Sequence, residues 1–191
     1  MWSSATLPYD SPSPLVERGS GGEAPTLILA LGNPLRGDDG VGAAILDALA
    51  ASGSLPEGVN LLDGGTAGLE TALLLHGYAR AFILDAADMG AAPGEWKRWR
   101  WRDVALMPGS LEGTLHGAGL AEALALGEVL GILPEDIVIY GVQPVDVGWS
   151  PGLSEPVQQA IPAICRDILD SLIQNDMKGR QSHGEDSYCG R

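Results

Sequence analysis

The chain has 191 residues, 45% of them hydrophobic, with 27 Gly, 13 Pro and one Phe, the size and apolar share of one compact domain rather than several. Eleven Lys and Arg against 25 Asp and Glu leave a formal charge of -14, a field that repels nucleic-acid phosphates and anionic lipid surfaces. No uncharged apolar run reaches the roughly 18 residues of a transmembrane helix, and the two cysteines, Cys165 and Cys189, have neither zinc-motif spacing nor the density of a secreted scaffold. The expectation is a soluble cytoplasmic protein with no nucleic-acid or membrane partner.

Residues 1–25 are rich in Ser, Pro and Gly and hold too little apolar surface to offset their ordering entropy, so they read as a disordered extension. They also lack the basic and apolar regions of a signal peptide. Residues 26–174 read as one α/β domain, and 175–191 as a flexible polar tail.

The first strand, Thr26 to Leu31, runs into Gly32-Asn-Pro-Leu-Arg-Gly37-Asp38-Asp39-Gly40-Val-Gly42. Gly32 to Gly37 has the opening spacing of a P-loop, but Asp38 and Asp39 stand where Lys and Ser or Thr belong, so the charge is reversed for a phosphate. A dinucleotide site fails as well, because Ile45 replaces the third glycine. Helix N-capping explains one aspartate. The other is then left to face the crevice beyond the strand ends, where two adjacent anions are best tolerated beside a cation.

Val41, Ile45, Leu46 and Leu49 mark the following helix, and Val59 to Asp63 the second strand. Its loop, Gly64-Gly65-Thr66, forms a crevice wall, with Thr66 as a cap for a helix carrying Leu69, Leu73 and Leu74. His76 sits at that helix's C-terminus. The third strand, Ala81 to Asp85, ends in a carboxylate after four apolar residues, a placement that suits a ligand; capping the next turn is the alternative.

Glu95 to Arg102 holds three of the five tryptophans and four of the eleven basic residues. Alternation puts Lys97, Trp99 and Trp101 opposite Trp96, Arg98, Arg100 and Arg102. The segment reads as an edge strand guarded by charge, or as a docking surface, since Trp and Arg are common at binding hot spots. His116 follows in Thr114-Leu-His-Gly-Ala-Gly119, before a helix marked by Leu120, Leu124, Val129 and Leu130. With Asp39 and Asp85 it completes an oxygen, oxygen, nitrogen set acceptable to zinc or nickel. Ile137 to Val142 is a further strand. A last helix carries Val157, Ala160, Ile161, Ile164, Ile168, Leu169 and Leu172, with Ser154 as N-cap and Pro162 as a kink. His183 and Cys189 fall in the polar tail.

Strands alternating with helices imply a three-layer α/β/α sandwich with a mostly parallel sheet of about five strands, one of them antiparallel. The motifs Leu31 to Gly42, Leu62-Asp-Gly-Gly-Thr-Ala-Gly-Leu-Glu70, Leu84-Asp-Ala-Ala-Asp-Met-Gly90, His116 and Tyr140-Gly-Val-Gln-Pro144 together resemble the [NiFe]-hydrogenase maturation endopeptidases, over roughly residues 26–172. The resemblance implies metal ligands at Asp39, Asp85 and His116, and a protease that trims the C-terminus of the large-subunit precursor after nickel insertion. Its ligands would then probe the substrate's nickel, with zinc or another divalent ion acceptable in its place. On this reading Asn33, Gly64, Gly65 and Thr66 accept the substrate strand, Asp38 and Asp39 are the catalytic pair, and Asp38 serves as base or orienting group. No His-Glu-x-x-His helix supplies a conventional zinc-bound water. Two other readings stand beside it: a metal-dependent hydrolase of small amides or peptides, and a non-catalytic metal-sensing partner of the precursor. The free protein is expected to be monomeric.

Overall fold

The computed structural model describes residues 25–104 and 117–182. The expected extension, apart from Pro25, lies outside the described residues, as do His116, His183 and Cys189.

Five strands form one sheet: β1 (Thr26–Ala30), β2 (Val59–Asp63), β3 (Arg80–Ala86), β4 (Trp96–Arg100) and β5 (Asp136–Val142). Their order is β2-β1-β3-β5-β4, with only β4 antiparallel to its neighbour. The helices are α1 (Val41–Ser52), α2 (Thr71–Leu75), α3 (Trp101–Val104), α4 (Gly117–Leu130) and α5 (Glu155–Ser182), with a short 3-10 turn at Gly37–Gly40 before α1.

The inner strands are apolar on both faces because helices cover both. Ile28, Ala30, Phe82, Leu84, Val138 and Tyr140 meet α1 and α5 through Val41, Ile45, Leu49, Val157, Ile164 and Ile168. The alternate residues Leu27, Leu29, Ala81, Ile83 and Ile139 pack with Leu75, Leu120 and Leu124 on the other side. Ile28, Leu29, Phe82 and Ile83 are fully buried, each such side chain contributing about 1.5–3 kcal/mol of transfer free energy. The result is the expected three-layer sandwich with the expected single antiparallel strand.

Two apolar stripes differ from their sequence reading. The helix after β2 starts only at Thr71 and buries Thr71, Ala72 and Leu75, while Leu69 and Leu73 are exposed. Thr66 therefore lies five residues before the helix and is not its cap. On α4, Leu120 and Leu124 enter the core but Val129 and Leu130 face solvent. A leucine every third or fourth residue defines a stripe without saying which stripe the sheet covers. The backbone of α5 also continues to Ser182, because its polar last turns, rich in Gln, Lys, Arg and Asp, do not by themselves stop a helix.

The segment of tryptophans and basic residues is an edge strand, as one of its two readings held. It ends at Arg100, and Trp101 opens α3. Its aromatic residues turn inward: Trp96 stacks on Tyr140 with centroids 6.0 Å apart, Trp99 packs against the α2–α4 core, and Trp101 is buried within it. Arg98 bonds Asp167 at 2.9 Å, and the Tyr140 hydroxyl donates to the same carboxylate at 2.7 Å. The docking reading of this strand thus loses its aromatic anchors to the core.

Candidate functional site

In an open parallel sheet the crevice lies beyond the carboxyl ends of the strands, and four loops meet there. The first, after β1, carries both aspartates. Gly32, at φ 120°, allows the chain to pass so close to Asp39 that a β-carbon there would overlap the Asp39 carbonyl oxygen; at Gly37, φ 56°, a β-carbon would lie 2.7 Å from the Asp146 carbonyl oxygen. Only glycine fits such a fold-back. Asn33 ties the turn together: its side-chain oxygen accepts from the Leu35 N–H, and its carbonyl from the Arg36 N–H.

Asp38 and Asp39 are each 1% exposed, yet neither caps the helical turn they occupy or α1 behind it. Their surroundings separate them. Asp38 accepts from the Val145 N–H at 2.7 Å, the Asp146 N–H at 3.3 Å, the Ser154 N–H at 2.6 Å and the Ser154 hydroxyl at 2.8 Å. Both oxygens are thereby committed to the segment between β5 and α5, as a buried carboxylate requires. Of the two roles read for Asp38, this geometry favours orienting over proton transfer. Asp39 accepts from the Asn33 N–H through Oδ2 at 3.0 Å, while its buried Oδ1 has no hydrogen-bond partner among the described residues.

Asp85 is wholly buried at the end of β3, in register with Gly141 of β5. The 37–40 turn packs against β3, and the Leu31 N–H bonds the Leu84 carbonyl at 2.8 Å, so the loop bearing Asp39 is seated on the strand bearing Asp85. His116 lies outside the described residues. Among the described residues no cluster of three or more His, Cys, Asp or Glu side chains stands ready for a metal.

The wall after β2 joins the same assembly: the Gly32 N–H donates to the Gly65 carbonyl at 2.8 Å, and the Gly64 N–H to the Ala30 carbonyl at 2.9 Å. Gly65 also donates to Asp63 Oδ1, and Thr66 is exposed beside it. His76, exposed, occupies the C-terminal cap of α2 as its position implied.

Three residues contribute in ways that sequence spacing does not assign, Ser154 being read there only as a helix cap and Gln143 only within Tyr140 to Pro144. Gln143, 8% exposed, accepts from the Met89 N–H at 2.7 Å and the Ala91 N–H at 3.1 Å, and its amide donates to Asp88. It thereby braces the loop that follows Asp85. A buried glutamine closing an apolar strand was visible within Tyr140 to Pro144, but its partners lie more than 50 residues away. Ser154 clamps Asp38, and Trp149 stands 80% exposed on the neighbouring turn. Nothing in the local spacing joins either to the aspartates.

Comparison with known proteins adds an independent line. The family model for hydrogenase maturation proteases matches residues 43–171. The hydrogenase expression/formation protein HupD of Rhizobium leguminosarum bv. viciae is 33% identical over 159 residues, covering 83% of this chain and 75% of that protein. The hydrogenase 2 maturation protease of Escherichia coli K12 is 30% identical over 154 residues, covering 80% and 93%. Among solved structures, the hydrogenase maturating endopeptidase HybD from E. coli superposes with a TM-score of 0.67 at 28% identity, covering 79% of this chain and 93% of that one.

Proposed function

This chain belongs to the hydrogenase maturation protease family, which makes it a peptidase, and on that premise we propose that it removes the C-terminal extension of a [NiFe]-hydrogenase large-subunit precursor after nickel insertion. The observation that carries the reading is Asp39: a carboxylate 1% exposed, fixed through one oxygen, with the other oxygen buried and unpartnered among the described residues. Leaving such a group unpaired is costly, and a cation offsets the cost. An oxygen donor of this kind, with Asp85 on the adjoining strand and the imidazole of His116, is a donor set that nickel or zinc accepts.

The ion concerned is the nickel already held by the precursor, so it is part of the substrate. A divalent ion held there polarises a neighbouring carbonyl or water. The chain's own residues supply position. The sheet ends and the Asn33 turn hold Asp39 and Asp85 before substrate arrives, so little ordering entropy is spent on binding. Asp38 orients the loop through its four donors. Asn33, Gly64, Gly65 and Thr66 form the wall along which the substrate strand lies. The reading includes a cytoplasmic location and a monomeric free enzyme; no helix among the described residues is long and apolar enough to cross a membrane.

The test is mass spectrometry of the purified precursor incubated with the chain. Release of a short C-terminal peptide by the wild type, lost in His116→Ala with an unchanged circular dichroism spectrum, supports the reading. An intact precursor that binds the chain stably without losing mass contradicts it and favours a non-catalytic partner.

A further inference from the structure

Leu35, Val145 and Trp149 are 60%, 54% and 80% exposed and sit on the two loops that enclose Asp38. These loops are fused. The Gly37 N–H donates to the Ser150 carbonyl at 2.6 Å and the Asp38 N–H to the Asp146 carbonyl at 3.0 Å, beside the four bonds to the Asp38 carboxylate. The Arg36 guanidinium lies 5.9 Å from the centroid of the Trp149 ring, and among the described residues Arg36 forms no salt bridge. The Asp39 N–H donates to the Arg36 carbonyl at 3.1 Å, so this apolar and cationic surface and the unpartnered oxygen of Asp39 belong to one turn.

We propose that Leu35, Arg36, Val145 and Trp149 form the docking surface for the polypeptide of the precursor beside its metal, taking an apolar side chain against Trp149 and Leu35 and a carbonyl or carboxylate against Arg36. This rests on the processing role proposed above and adds where the substrate is gripped. Continuity selects the occupant: a metal centre reaching Asp39 brings its flanking chain across Arg36 and Trp149. An exposed Trp beside an Arg, on loops already braced, has the composition and rigidity of a binding hot spot. A second copy is the poorer occupant, since two chains of charge -14 repel each other.

The experiment is steady-state cleavage of the full-length precursor by Trp149→Ala, Leu35→Ala and a control, Val129→Ala on exposed α4. The expected result is a rise in KM of roughly 30-fold for Trp149→Ala, a smaller one for Leu35→Ala, kcat kept in both, partial recovery in Trp149→Phe, and no change for the control. Unchanged KM in both loop variants overturns the proposal, as does a wild-type dimer in sedimentation that Trp149→Ala dissolves. A wild type that cleaves nothing refutes the processing role instead. Calorimetric titration with precursor then decides the surface separately: binding weakened by Trp149→Ala upholds it, and equal binding removes it.

Discussion

The loops at the carboxyl ends of the strands and the β4 edge are the two regions where this sequence concentrates unusual residues, and the structure treats them in opposite ways. Along β4 and the start of α3 the aromatic rings are taken up by the fold, Trp96 stacking on Tyr140 and Trp101 filling a core, while Arg98 bonds Asp167. At the loops, Asp39 keeps a buried oxygen without a partner among the described residues, and Trp149 and Leu35 stand in solvent. Residue type alone therefore does not mark function. What separates the regions is whether the fold covers the aromatic ring or leaves it in solvent.

That contrast predicts different consequences for damage on either side. Asp39→Asn, at the loops, is expected to lower precursor processing about 1,000-fold while the melting temperature moves by only a few degrees. Trp101→Ala, at the end of β4, should do the reverse, costing about 3 kcal/mol of stability in urea denaturation with processing per folded molecule unchanged. A Trp101 variant that stays stable but loses processing would break the distinction.

Asp38 tests the boundary between the two behaviours, being buried like a core residue but part of the loops. Asp38→Asn weakens four accepted bonds, and a stability loss of about 2 kcal/mol is expected, with a drop in processing smaller than that of Asp39→Asn. Equal losses from the two substitutions would remove the separate roles given to these neighbours.

The smallest effect belongs to Tyr140. Burial, with Asp167 adding to it, pushes its hydroxyl from 10.0 up to about 12. Between those values the unfolded chain has released the proton and the folded chain keeps it. The contribution to stability is therefore complete below pH 10 and falls as pH rises towards 12. Tyr140→Phe should cost about 1 kcal/mol at neutral pH and flatten that alkaline decline, followed by denaturation at a series of pH values.

The inner strands were legible because a sheet buried on both faces needs continuous apolar runs, as in β3 and β5, and the half-exposed edge strand Val59 to Asp63 is read with the same bounds in sequence and structure. Helix α1 was legible because Val41, Ile45, Leu46 and Leu49 all face the sheet. The exposed Leu69, Leu73, Val129 and Leu130 show where periodicity misleads, since Leu69 precedes α2 and both α2 and α4 carry more apolar residues than their neighbours cover. Asp85 stands out in the sequence because a carboxylate after an apolar strand needs a reason, and Asp39 because one helix cap cannot account for two adjacent aspartates. The different bonding of Asp38 and Asp39 was not readable, because the donors that claim Asp38 are contributed more than 100 residues later. The partners of Gln143 and Ser154 are illegible for the same reason, and the role of Trp149 because exposure is a property of the folded surface.

If the carboxylates at the strand ends read the metal of the substrate, nickel-loaded and nickel-free precursor, prepared identically and followed by mass spectrometry, must behave differently. Release of the C-terminal peptide is expected from the loaded form alone. Cleavage of both forms at the same rate would contradict it.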